Sequence, residues 1–186
     1  MAGTTGYNLS HMQVAPNVAS PTFKDINYSI SLDATIDQSD EKFQADGMNV
    51  ESTFGPREGS GSVSFGSIDP STIATMTGDT FATAGSAGTS LRDRISFKGG
   101  TVPPSVILLG WVRNVSSKSA FKGTVIIIPN AKIAVPNVSF EQSSWSEMES
   151  DITFDPNANG DMLIWENVET EPTFTSGVMA MPAVIP

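Results

Sequence analysis

From Ile26 to Ile36 the chain alternates without a break. Ile26, Tyr28, Ile30, Leu32, Ala34 and Ile36 are apolar, and Asn27, Ser29, Ser31, Asp33, Thr35 and Asp37 separate and follow them. A side-chain period of two belongs to a β-strand with one face on a core. Positions 26–36 make a strand of about 36 Å at ~3.3 Å per residue, long enough to extend past a compact core. Residues 38–42 are polar and read as a turn. Alternation resumes with Met48, Val50 and Phe54 set against Asn49, Glu51 and Thr53. The run 55–61, Gly-Pro-Arg-Glu-Gly-Ser-Gly, is turn chemistry. A mobile loop is therefore expected there, with a further strand beginning at Val63 and Phe65.

One helix is predicted over residues 70–77. Asp69 suits the N-cap, Pro70 the first helical position and Gly78 the termination, and Ile68 and Ile73 can form a hydrophobic staple across the cap. So short a helix needs tertiary packing through Ile73 and Met76. Residues 83–90 are small and polar and read as a loop. Residues 91–97 read as a strand with Leu91, Asp93, Ile95 and Phe97 on one face. After Pro103 and Pro104, the apolar run 106–112 fits a buried strand. Residues 121–128 form another strand, ended by Pro129 and Asn130, and residues 132–135 begin a new one. Residues 146–154 alternate again, with Met148, Ile152 and Phe154 on one face and Glu147, Glu149 and Asp151 on the other, beside Trp145. Residues 155–160 are a turn and 161–168 a last core strand. The pattern predicts a mainly β protein: a β-sandwich or barrel flanked by one short α-helix, with extended loops. It divides into an N-terminal arm (1–24), a sandwich domain (25–170) and a C-terminal arm (171–186).

Composition narrows the chemistry. The chain has 186 residues and no cysteine, so disulfides, thiol nucleophiles and cysteine metal sites are excluded. The first ten residues carry no positive charge and no apolar run, so no secretory signal is expected. No stretch is long and apolar enough for a membrane span, and no membrane partner is expected. The net charge of −10 is unevenly distributed. All bases between residues 94 and 140 (Arg94, Lys98, Arg113, Lys118, Lys122, Lys132) are free of intervening acids, whereas residues 141–186 hold acids only. Such segregation suits acidic and basic surfaces that meet between identical subunits.

Catalytic constellations are weak. His11, the one histidine, falls in the expected N-terminal arm and reads as a solvated residue. Glu147, Glu149 and Asp151 share a strand face, which makes an open acidic surface rather than an acid–base pair in an apolar pocket. The glycine-rich run 55–61 lacks the Gly-Lys-Ser/Thr ending of a phosphate loop. Asp155, Asn157, Asn159, Gly160 and Glu166 do fit the spacing of an EF-hand calcium loop, but the flanking residues alternate as strands where helices are required, and a hairpin turn is the expectation. Aromatics do not interleave with the bases, which argues against a sequence-specific nucleic-acid reader. No catalytic residue, cofactor or metal is expected.

Several stretches resemble the major tail proteins of long, non-contractile-tailed bacteriophages. They are VESTFGPREGSGSVSFGS at 50–67, its continuation through the helix into TGDT at 77–80, Pro103-Pro104 before an apolar strand, the turn at 128–132, and Ser144-Trp145 ahead of an acidic alternating strand. The resemblance covers residues 25–168. It implies a non-enzymatic virion protein whose hexameric rings stack into a tail tube for DNA ejection. Its implied partners are further copies, a tape-measure protein, and the tail terminator and baseplate or distal tail proteins, with assembly in the host cytoplasm and DNA passing without specific binding. A bore must not grip the duplex, so either Asp33 and Asp37, or Glu147, Glu149 and Asp151, are candidates for its wall. Gly55, Pro56, Arg57, Glu58 and Gly59 are candidates for an inter-ring loop. The competing readings are another virion or surface β-protein, such as a capsid decoration or fimbrial subunit, and a calcium-dependent carbohydrate-binding module using residues 155–166.

Overall fold

In the computed structural model, residues 7–26, 29–45, 48–66, 69–114, 120–138, 147–170, 174–175 and 178–179 are described. The elements are β1 (Tyr7–Pro16), β2 (Lys24–Ile26), β3 (Ser29–Ala45), β4 (Met48–Phe65), α1 (Pro70–Thr77), β5 (Thr80–Ala84), β6 (Arg92–Ser96), β7 (Val106–Asn114), β8 (Gly123–Ile133), β9 (Asn137–Val138), β10 (Met148–Phe154), β11 (Ile164–Val168), β12 (Phe174–Thr175) and β13 (Val178–Met179). The main sheet runs β2-β1-β7-β8-β10-β4-β3, with β11 also paired to β8 and β9 to β10. Its pairings are all antiparallel. The sheet folds back over itself, so that Leu32 of β3 packs on Gly110 of β7. The result is a mainly β protein, a β-sandwich with one short helix among the described residues, as the alternation predicts.

Between the layers lies a core of Met12, Val14, Val63, Phe65, Leu108, Ile128, Ile133, Ile152 and Phe154. Helix α1 closes it with Ile73 and Met76, both buried. A second cluster, Leu109, Trp111, Val125 and Ile127, sits on the opposite face of β7 and β8. Both faces of these central strands are therefore apolar, which is why 106–112 reads as a continuous run and not as an alternation.

The helix matches its sequence signals. The Asp69 carboxylate accepts the Ser71 N–H at 3.0 Å, and Gly78 ends the helix at φ 77°, donating its N–H to the Ala74 carbonyl. A left-handed residue at that point favours glycine. Ile68, the outer half of the expected staple, lies outside the described residues. Asp69→Ala is expected to lower stability by about 1 kcal/mol, read as a fall in the urea midpoint at unchanged slope.

Four sequence expectations need correction. Residues 7–16 are not an arm: β1 is an inner strand between β2 and β7, and Met12, Gln13, Val14 and Ala15 are fully buried. Of the alternation at 26–36, Ile26 lies in β2 and residues 29–36 in β3, with residues 27 and 28 outside the described residues. Residues 38–42 are not a turn, since β3 passes through them to Ala45. Gly55, Pro56, Arg57, Glu58 and Gly59 are not a loop but part of β4. Pro129 and Asn130 do not end a strand, since β8 runs on to Ile133.

The last two share a cause. Gln38 pairs with Arg57 and Asp40 with Phe54, so Ser39 alone faces Gly55 and Pro56. Likewise Val106 pairs with Ala131 and Leu108 with Ile128, so Ile107 alone faces Pro129 and Asn130. Each is a β-bulge, and a bulge tolerates a proline that cannot donate to the ladder. Turn residues here mark a kink inside a strand instead of its end.

Smaller differences follow the same lines. Residues 80–84 pair with 92–96 as a separate two-stranded sheet, so the loop is confined to 85–91. Ile95 is half-buried, while Leu91 and Phe97 lie outside the strand and are exposed. The last core strand starts at Ile164, later than expected. Of residues 171–186, only the short β12–β13 pairing is described.

Candidate functional site: an acidic sheet face

The strands β10, β4 and β3 lie side by side, and residues directly opposite in an antiparallel pair share a face. Asp33 of β3 and Asp151 of β10 both pair with Ser62 of β4. One row along, Ser31 and Glu149 flank Ser64; one row the other way, Thr35 and Thr153 flank Ser60. Every one of these side chains is a carboxylate or a hydroxyl. Asp33, Thr35, Ser60, Glu149, Asp151 and Thr153 are exposed, Ser31 and Ser62 half-buried, and Ser64 buried between its neighbours. The alternate positions, Val63, Phe65, Ile152 and Phe154, form the core beneath. Period two thus separates a mostly apolar underside, which also holds the buried Ser150, from a wholly polar top.

The sequence reading left two sets of acids as alternatives, and the register joins them. Asp33, Glu149 and Asp151 stand on one wall, with exposed Glu147 directly before β10. Two strand spacings separate Asp33 from Asp151, about 10 Å. At that distance in water the repulsion between two carboxylates is only about 0.4 kcal/mol. The wall therefore forms without a counter-ion. Lys132 of β8 stands on the same face, opposite Thr153, and its ammonium is 3.1 Å from the Asp155 carboxylate. The other described bases of the positive segment lie elsewhere: Arg94 on β6, Lys98 just after it, Arg113 on β7 and Lys122 before β8; Lys118 lies outside the described residues.

Asp37 sits apart from this wall. Phe154 opposite Gly59 is the last pairing of β10 with β4. One row further out, Asp37 and Glu58 face each other across β3 and β4. They line an open hollow of about 310 Å³ with Gln38, Ser39 and Pro56, formed where the bulge bends the hairpin. Glu58 was legible only as part of a turn; its pairing with Asp37 depends on the register, which no local pattern announces.

His11 is not a solvated arm residue. It lies on β1 with Nε2 2.8 Å from Asp25 Oδ1, and the same oxygen accepts the Gln13 side-chain amide at 2.7 Å. Gln13 is fully buried, and among the described residues its Oε1 has no hydrogen-bond partner. This cluster fixes β2 on β1, since Asp25 is the register partner of Gln13.

The calcium-like spacing resolves into a closed turn. Asn157 Oδ1 accepts the backbone N–H groups of Asn159 and Asp161 at 2.9 and 2.8 Å, and Asp155 pairs with Lys132. Strands β10 and β11 flank the loop, and Glu166 stands on β11 opposite Val125. Among the described residues no group of three or more His, Asp or Glu is placed to hold a metal ion. No protein-family model matches the chain, and no curated protein matches its sequence.

Proposed function

We propose that this chain is a tail tube subunit, a structural virion protein whose hexameric rings stack into a conduit for DNA. The observation that carries the reading is the wall of Asp33, Glu149 and Asp151 set among serines and threonines, beside which Lys132 is paired with Asp155. Duplex DNA carries one negative charge per ~1.7 Å, and cationic surfaces bind it by releasing counter-ions. A surface of carboxylates and hydroxyls offers neither cations nor apolar wedges, so a duplex slides past it. The five acids suggested for the bore thereby divide: Asp33, Glu149 and Asp151 form the wall, Glu147 borders it, and Asp37 belongs to the hairpin beyond.

The hairpin supports self-assembly. Past its last row beside β10, β3 continues from Asp37 to Ala45, about 30 Å at ~3.3 Å per residue. A lone two-stranded ribbon is marginal in water, so a ribbon of this length is stabilised by lying on another surface, here a neighbouring subunit. In the assembled tail, such subunits surround a tape-measure protein and meet a terminator at one end and distal tail proteins at the other. Concentrated protein viewed by negative-stain electron microscopy is expected to show hollow tubes. Particles of single-subunit size at every concentration would exclude the proposal.

A further inference from the structure

We infer that the β5–β6 hairpin is a docking element that seats Arg92 and Arg94 against Asp37 and Glu58 of a second copy of the chain, an inference that rests on the self-assembling reading above. The hairpin has two unlike faces. Phe81 and Ile95 pair on one, both half-buried, with Ile95 against the core. On the other, Arg92 pairs with Ala84 and Arg94 with Ala82, and all four are exposed. Two guanidinium groups thus rise above a floor of alanines with nothing bulky beside them. Among the described residues neither arginine has an ion-pair partner.

The complementary feature lies on the β3–β4 hairpin. Asp37 and Glu58 are directly opposite, both exposed, and among the described residues neither is paired to a base. Like charges in direct register destabilise a strand pair, so a cation between them relieves the ribbon at the point where it leaves the sheet. The hollow they line provides the space. Arg92 and Arg94 are spaced by two residues of a strand, about 6.6 Å, and the two carboxylates by one cross-strand step, about 5 Å. Two arginines can therefore address two carboxylates together, and guanidinium–carboxylate pairs are the stronger kind of charge-assisted hydrogen bond. The two patches are different surfaces of one chain. Contact between them is head-to-tail, the kind that closes into a ring.

The chain contains no cysteine, so introduced thiols report on this contact alone. Ala82→Cys in one copy and Thr35→Cys in a size-tagged second copy leave all four charged residues in place. A short bismaleimide is expected to join them into a heterodimer, while Ala82→Cys mixed with Glu149→Cys gives none. Arg92→Glu with Arg94→Glu, added to the first copy, should reduce the yield on the order of tenfold. Asp37→Arg with Glu58→Arg in the second copy should restore it. Circular dichroism of each variant checks that the monomers remain folded. Absence of the heterodimer, or a yield indifferent to both charge reversals, overturns the docking. So does binding of a fluorescent duplex that requires Arg92 and Arg94, which would assign them to phosphate. Intact tubes from the Arg92→Glu, Arg94→Glu variant remove the docking and leave the tube; a charge-dependent heterodimer without any tube removes the tube and leaves the docking.

Discussion

Tubes built from a variant carrying Asp33→Lys, Glu149→Lys and Asp151→Lys are expected to assemble and then hold on to DNA. All three positions are exposed on the outer face of the sheet, with side chains clear of the core. Surface changes of this kind alter stability by about 0.5 kcal/mol or less. Their electrostatic effect is far larger, because each subunit's wall passes from three negative to three positive charges and the change repeats around every ring. If one subunit's three lysines each neutralise a phosphate, the logarithmic salt slope is about −2.7, and affinity falls roughly 40-fold between 50 and 200 mM salt. The unaltered wall gives no such term. Two measurements check this: duplex retention by assembled tubes against salt, and the rate of DNA ejection from particles carrying the variant. The variant should retain DNA at low salt and eject slowly, recovering as salt rises. Ejection at the normal rate would remove the wall from the bore.

The second large effect is in the core beneath that wall. Phe154 is 2% exposed, and its ring lies against Gly59, occupying the space a Cβ would need. Phe154→Ala is expected to lower stability by about 3–5 kcal/mol through lost transfer energy and the cavity left behind. That is a large part of the 5–15 kcal/mol typical of a domain. Gly59→Val should also destabilise, since its side chain meets the ring and the last row shared by β10 and β4 must open. The two changes address the same space, so they should not add. Gly59→Val with Phe154→Ala is expected to be more stable than the sum of the single effects predicts, by at least about 0.5 kcal/mol. Urea unfolding of the four proteins measures this directly. Strict additivity would mean that the ring and the glycine do not compete.

These cases show what the sequence made legible. Strand β10 is the clearest: Glu149, Asp151 and Thr153 face out while Ile152 and Phe154 face in, as the alternation predicts. The helix was equally plain, because Asp69, Pro70 and Gly78 are local signals acting on local backbone. Strand ends were harder. Gly55, Pro56, Pro129 and Asn130 have the chemistry of turns, and only the partner strand shows that each pair sits in a bulge. The inner position of β1 was hidden for a related reason. Its buried Gln13 and partly exposed His11 break the apolar pattern, and the Asp25 carboxylate that accommodates them comes from a different strand. The acidic wall was half legible: each strand announced its own carboxylates, but their common face follows from both Asp33 and Asp151 pairing with Ser62, a long-range fact.

A reconstruction of the assembled protein at side-chain resolution tests the central claim most directly. The account places Asp33, Glu149 and Asp151 on the inner surface of a hollow tube, with the β10–β4–β3 sheet face turned to the axis. A tube with those three carboxylates on its outside, or buried between subunits, would contradict it.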